Sequence, residues 1–296
     1  MLCDPATSWR QLTRLLASAA AVLLLASACA ARCPDAAPRI MTWPAYADLR
    51  ARGGHPDWPY VLRIDAERGA LLYFGAAHTF DPASPQVAQI EREWQAFSPD
   101  IAFNEGGLPP VASTRDEAVR TGGESGFVRF LAARDDVPTT TLDPSRAQEV
   151  AALARRFSRE QIKLFFILRS VSQYVERLGT SGLSSEVERV LRVFGSTPGL
   201  GGSPRTVGEV SAAYARHFPG SGGGYEDVPS SWFDPVMSGT FLNEISRASN
   251  NYRDEYMMRL IVQHVGHGQR VFAVVGGSHV IMQEAALRGR LRTCKR

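Results

Sequence analysis

Two stretches decide the fold of this chain: LLYFGAAH at residues 71–78 and VFAVVGGSH at residues 271–279. Each is an apolar run that leads to a glycine, and three residues after that glycine stands a histidine, His78 or His279. A third run, IAFNEGG at residues 101–107, places Glu105 beside two glycines. Short apolar runs that end at glycine are typical of buried strands, so each polar residue is expected to follow a strand directly.

Helical patterns separate these runs. Ser84 and Pro85 are expected to begin a helix that continues through Phe97, since serine caps a helix and proline suits its first position. Further helices are expected at about residues 126–134, 250–267 and 278–288. Residues 60–65 and 71–74 form a predicted hairpin with a turn at 67–69. This alternation predicts an α/β fold with a mostly parallel central sheet flanked by helices.

The middle of the chain has a different composition. Residues 145–157 and 158–178 each have a helical pattern, whereas 179–235 are rich in glycine, serine and proline, with helical stretches near 186–194 and 207–217. We therefore expect residues from about 145 to 249 to form a helical insertion or lid within a single domain that spans residues 29–296.

Residues 1–28 have the pattern of a secretory signal. Arg10 and Arg14 precede an apolar run, residues 15–26, that is too short to cross a bilayer. Small residues follow at 26–28, and Cys29 comes next, as in a bacterial lipobox. The chain is expected to be exported, either as a cleaved periplasmic protein or as a lipoprotein. A lipid on Cys29 would be its one membrane contact.

Composition argues against some classes of protein. A net charge of +3 with no clustered basic patch disfavours nucleic-acid binding. The chain has no Gly-x-Ser-x-Gly motif, which disfavours a serine hydrolase. Cys33 and Cys294 are expected either to form a disulfide in an oxidising compartment or to remain thiols near the two ends of the chain.

The three strand exits indicate a site. In an open parallel sheet ligands bind at the carboxyl ends of the strands, where His78, Glu105 and His279 would meet. Such a set can hold a divalent metal, or it can act without one as base, acid and orienting group. Two further carboxylates have open roles. Glu124 either supports this set or begins a helix, and Asp81 either orients His78 or caps a turn.

At these residues the chain resembles the TraB/GumN group and its Tiki relatives, within the erythromycin-esterase/ChaN-like superfamily. The resemblance is carried by FGAAH at 74–78 with Pro85, by NEG at 104–106, and by YRD at 252–254 with VGGSH at 275–279. It implies a doubled α/β fold in which His78, Glu105, Arg253 and His279 surround one pocket. Arg253 stands near the start of the helix predicted at 250–267 and is expected on the rim of the pocket. There it either grips a substrate carboxylate, orients Glu105 or forms a surface ion pair.

The resemblance implies a hydrolase that activates water against an ester or amide bond of a small-molecule or peptide substrate. Tiki-like members look like metal-dependent proteases, which makes His78, Glu105 and His279 candidate ligands for manganese, cobalt or zinc. Erythromycin-esterase members resemble metal-free hydrolases. The alternative is a ChaN-like lipoprotein that binds haem or another ligand without catalysis. A third alternative is a scaffold without activity, because Val280, Ile281 and Met282 replace the leucine and glycine usual in the family.

Overall fold

A five-stranded sheet forms the centre of the computed structural model, which describes residues 38–54 and 56–291. Its strands in chain order are β1 (Tyr60–Asp65), β2 (Ala70–Ala76), β3 (Ile101–Asn104), β4 (Thr139–Thr141) and β5 (Arg270–Gly276). Their order across the sheet is β1-β2-β5-β3-β4, with β1 antiparallel to β2 and the other neighbours parallel. The predicted α/β fold with a mostly parallel sheet is confirmed.

The described ranges contain nine α-helices. These are α1 (Trp43–Ala51), α2 (Pro85–Phe97), α3 (Arg115–Arg134), α4 (Arg146–Leu153), α5 (Arg159–Leu178), α6 (Leu183–Gly195), α7 (Val207–His217), α8 (Phe241–Gly266) and α9 (Gly277–Arg290). In this part of the chain, none of the helices combines the length and the apolar character that a membrane span requires.

Helices cover both faces of the sheet. Successive side chains of β2 point to opposite faces: Leu71 and Tyr73 pack in a core with α8 and α9, whereas Leu72 and Phe74 pack in a core with α2 and α3. All seven residues of β2 are buried. A strand that is buried on both sides has an unbroken apolar sequence. For this reason the sequence predicts strands at residues 71–74 and 271–275.

The helices of residues 146–217 have a core of their own. Phe165 and Leu168 of α5 lie in one apolar cluster with Val187 of α6 and Leu242 at the start of α8. Serine begins α4 and α5 with a capping box in both cases. An insertion or lid role for this segment remains a prediction, and position 249, its expected end, lies inside α8.

Two helices are longer than predicted. The helix expected from residue 250 begins at Phe241, because Thr240 caps it and buried partners hold the poor helix formers of its first turns. Ser246 Oγ, for example, donates to Phe233 O at 2.6 Å. The helix expected from residue 126 begins at Arg115 and is kinked at Gly123, where φ is 57° and ψ is −147°. Since α8 begins at Phe241, Arg253 does not lie at the start of a helix, and that expectation was wrong.

Several expectations fall outside the described residues. The secretory signal, Cys29, and the pairing of Cys33 with Cys294 all involve residues 1–37 or 292–296. They stay predictions.

Replacing Gly75 with alanine is expected to destabilise the fold. A Cβ there would stand 2.9 Å from Gly277 Cα and 3.0 Å from Tyr60 O, and neither backbone atom can move cheaply. We expect Gly75→Ala to cost about 1–3 kcal/mol in the free energy of unfolding, measured by urea denaturation. Gly208→Ala is the matched control. It lies inside helix α7 with open space around the added methyl, and alanine should stabilise it by up to about 1 kcal/mol. Equal changes in the free energy of unfolding for Gly75→Ala and Gly208→Ala would contradict the close packing around Gly75.

Candidate functional site

Three neighbouring strands end at one edge of the sheet and deliver the predicted residues there. Glu105 follows β3 directly, His78 stands two residues after β2, and His279 lies in the first turn of α9, which follows β5 without a break. Because β2, β5 and β3 are adjacent and parallel, their carboxyl ends meet. The structure therefore brings together residues that are 201 positions apart in sequence, from His78 to His279.

Glu105 is at the centre of the site. Its Oε1 accepts a hydrogen bond from Arg253 Nη2 at 2.5 Å, and its Oε2 accepts one from the Gly276 backbone N at 2.6 Å. Burial opposes ionisation of Glu105, but His279 and Arg253 outweigh it and lower its pKa well below the usual range. Glu105 is thus an anion held between cations, which makes it a weak base.

Arg253 lies in the middle of α8 and is buried, with 8% of its surface exposed, so the prediction that it would lie on the rim of the pocket was wrong. Its Nε donates to Asp143 Oδ1 at 2.9 Å, and its Nη1 donates to Asn250 Oδ1 at 3.2 Å. With Glu105 on Nη2, most of the guanidinium donors are occupied within the protein. Among its predicted roles, this arrangement favours the orientation of Glu105.

His279 is buried between two carboxylates. Its Nδ1 lies 2.6 Å from Asp254 Oδ1, and its Nε2 lies 3.5 Å from Glu105 Oε1. Burial opposes protonation, but Asp254 and then Glu105 outweigh it and raise the pKa of His279 to about 10. His279 is therefore an imidazolium at neutral pH. Its Nε2 lies at the outer limit of hydrogen-bonding distance from Glu105, beside the space that His279 lines.

His78 is the exposed member of the set, with 67% of its side chain accessible. Its Nδ1 lies 3.5 Å from Glu124 Oε2, and this contact raises the pKa of His78 despite partial burial. A Cβ on Gly276 would stand 3.0 Å from His78 Nε2 and 3.4 Å from Glu105 Oε2. His78 Nε2 and Glu105 Oε2 thus lie beside the same residue, Gly276, which has no side chain to separate them. Nε2 of His78 therefore faces Glu105.

Glu124 holds His78 because of the kink in α3. Gly123 adopts a positive φ that only glycine adopts readily, and the chain direction changes there. Glu124 Oε1 then accepts hydrogen bonds from the Thr79 backbone N at 2.5 Å and from Gln86 Nε2 at 3.0 Å. Of its two predicted roles, support of the site is the one that the geometry favours.

The site opens into a cavity of about 550 Å³. His78, Glu105, Arg253 and His279 all line it, and the Trp58 ring covers Gly277 so closely that no side chain could fit there. This cavity, called the site cavity below, is large enough for part of a small molecule or one peptide residue.

Three partners of the site escaped the sequence analysis in these roles. Asp254 is fully buried and binds His279, Asp143 binds Arg253, and Gln86 binds Glu124. The YRD motif already contained Asp254, but nothing in the sequence indicated that this acid would bind His279. By contrast Asp81 does not orient His78, because its Oδ1 caps the turn at the Ala83 backbone N.

In this arrangement the side chains that would bind a divalent cation already have partners within the protein. Arg253 Nη2 donates to Glu105 Oε1 at 2.5 Å, and His279 Nε2 lies 3.5 Å from the same oxygen. Among the described residues no group of three or more His, Cys, Asp or Glu side chains is placed to hold a metal ion. A manganese, cobalt or zinc site at His78, Glu105 and His279 stays a prediction, as does haem. Of the two histidines of the site, His78 is the more exposed and would be the one to serve as an axial haem ligand.

No family model, curated protein or solved structure matches this chain. The resemblance to the TraB/GumN group therefore rests on the motif residues alone.

Asp254→Asn is expected to lower the pKa of His279, because the neutral amide removes its nearest negative charge. In the wild-type protein NMR titration of the ring should show His279 still protonated at pH 8. Asp234→Asn is the control, since Asp234 lines the same cavity without bonding to His279. The raised pKa stabilises the fold fully below pH 6.5, and this stabilisation is lost as the pH rises toward 10. A neutral His279 at pH 7 in the wild-type protein would contradict the arrangement.

Proposed function

We propose that this chain is an exported, TraB/Tiki-like hydrolase that uses its His/Glu/His set, without a metal, to add water to an ester or amide bond. The observation that supports it most is the difference between the two histidines. His279 is buried as a cation between Asp254 and Glu105, whereas His78 is exposed with one nitrogen facing the cavity. The environments of both histidines raise the pKa, but by different contacts, and two titratable groups in such different environments are typical of acid–base catalysis.

His78 is the proposed general base. Glu124 near Nδ1 favours the tautomer with a proton on that nitrogen, which leaves the lone pair of Nε2 for water. The water oxygen attacks the carbonyl carbon, and its proton passes to Nε2. Glu124 then stabilises the imidazolium that forms.

His279 is the proposed general acid. Its Nε2 proton stabilises the negative charge that develops on the carbonyl oxygen or passes to the leaving group as the carbon–oxygen or carbon–nitrogen bond breaks. The proton gained by His78 returns to solvent, and His279 regains a proton because Asp254 and Glu105 favour its charged form. Arg253 and Asp143 keep Glu105 in place, and are positioning residues.

His78→Gln should lower kcat/KM by about 10²- to 10⁴-fold, because it removes the base and keeps the approximate size of the side chain. The assay is a panel of para-nitrophenyl esters and fluorogenic peptides with the secreted protein. His267→Gln is the control, since His267 is an exposed histidine at the end of α8. Full activity of His78→Gln would contradict the proposal. A Soret shift in a haemin titration that depends on His78, with no substrate cleaved, would contradict it as well.

The activity should show a bell-shaped dependence on pH. It rises as His78 loses its proton, at a pH above the ordinary histidine value of 6.5, because Glu124 raises its pKa. It falls again as His279 loses its proton near pH 10. Initial rates between pH 5 and pH 11, in about 1 mM EDTA and without it, measure both limbs. Inactivation by EDTA with recovery on added manganese, cobalt or zinc would instead support the metal-dependent form of the site.

A further inference from the structure

Arg169 reaches the site from outside the sheet. It lies on α5, in the helical part of the chain, and lines the site cavity. It also lines a second cavity of about 860 Å³ that borders Glu105 and Arg253. One guanidinium therefore faces both spaces next to the proposed catalytic residues.

Within residues 38–54 and 56–291, Arg169 has neither a hydrogen bond nor an ion pair. The acids nearest to it are already engaged. Glu105 binds Arg253, and Glu149 binds Arg146 at 2.8 Å and Ser249 at 2.5 Å. Each of the other two arginines thus has its own carboxylate, whereas Arg169 has none.

An unpaired guanidinium in a partly buried place is costly. Burial, followed by repulsion from Arg253, lowers the pKa of Arg169, although Glu149 and Glu105 attract it from a longer distance. Folding alone gives no reason to keep a charge without a counter-ion there. An anion that enters the cavity would supply the missing counter-ion.

The charges around the site cavity also favour an anionic ligand. Arg50, Arg169, Arg253 and the cationic His279 line it, against the carboxylates of Glu105 and Asp234. Since Glu105 is already bound by Arg253 and Gly276, little negative charge remains to balance Arg169.

We propose that Arg169 binds a carboxylate of the substrate, so that the enzyme cleaves esters or amides that carry a free carboxylate close to the scissile bond. This inference rests on the proposed hydrolase. The planar guanidinium matches the two oxygens of a carboxylate in a bidentate pair. One guanidinium also balances the single charge of a carboxylate, whereas a phosphate monoester carries about −1.5 to −2.

The test compares two esters of the same chain length, the para-nitrophenyl monoester of glutarate and para-nitrophenyl pentanoate, which lacks the carboxylate. The wild-type protein should prefer the acidic ester in kcat/KM, and Arg169→Met should reduce that preference about 10- to 100-fold. Arg169→Lys keeps the charge and should restore part of it. Arg177→Met is the matched control on the exposed end of α5 and should keep the wild-type preference.

A binding measurement separates this inference from the proposed function. Calorimetry with glutarate should show binding to the wild-type protein and loss of binding in Arg169→Met, whether or not any ester is cleaved. Hydrolysis of both esters without a preference would overturn the role of Arg169 and leave the hydrolase intact. Glutarate binding without hydrolysis would support Arg169 and count against the hydrolase. Competition by inorganic phosphate but not by glutarate would overturn the assignment of a carboxylate.

Thermal denaturation tests whether Arg169 serves only the stability of the fold. Because Arg169→Met removes a charge without a partner, its Tm should equal or exceed that of the wild-type protein. A Tm several degrees lower, with an unchanged preference between the esters, would show that the arginine serves the fold.

Discussion

The buried ion pair between Glu105 and Arg253 is the interaction on which the arrangement of the site depends. It joins the end of β3 to the middle of α8, and its two residues are 148 positions apart in the sequence. Two charges withdrawn from water are stable only when their remaining hydrogen-bonding groups are satisfied, and Asp143, Asn250 and the Gly276 backbone satisfy them. This pair also contributes to the raised pKa of His279, because the anion at Glu105 helps Asp254 to keep the imidazole protonated.

The main features of this fold were predictable because physical constraints mark them in the sequence. Strands buried on both faces must be apolar throughout, which marks β2 and β5, and the polar residue after each strand must lie at the carboxyl edge. His78, Glu105 and His279 were found in this way. No comparable constraint marks Asp143, which lies in a loop, or Arg169, whose helix gives no sign of which side faces the site.

Helix boundaries were harder to predict, for a reason that also bears on function. The first turns of α8 contain serine and asparagine, which compete with the helix backbone for hydrogen bonds unless tertiary partners occupy them. Here Ser246 and Ser249 have such partners, so α8 extends back to Phe241 and places Arg253 in a rigid interior turn. A helix that began at Asn250 would have left Arg253 in a fraying first turn. Similarly, the kink at Gly123 cannot be told from an ordinary helix start by its sequence alone, yet it turns Glu124 toward His78.

The position of β5 has a consequence for the order in which the molecule can assemble. This strand lies in the middle of the sheet, between β2 and β3, but of the five described strands it is the last that the ribosome makes. Until residue 270 has been synthesised, the β1–β2 hairpin and the β3–β4 pair have no strand to join them, and their facing edges cannot pair. A nascent chain therefore cannot complete the central sheet until β5 has been synthesised. A chain truncated before β5 would present two open strand edges and should be removed by proteolysis.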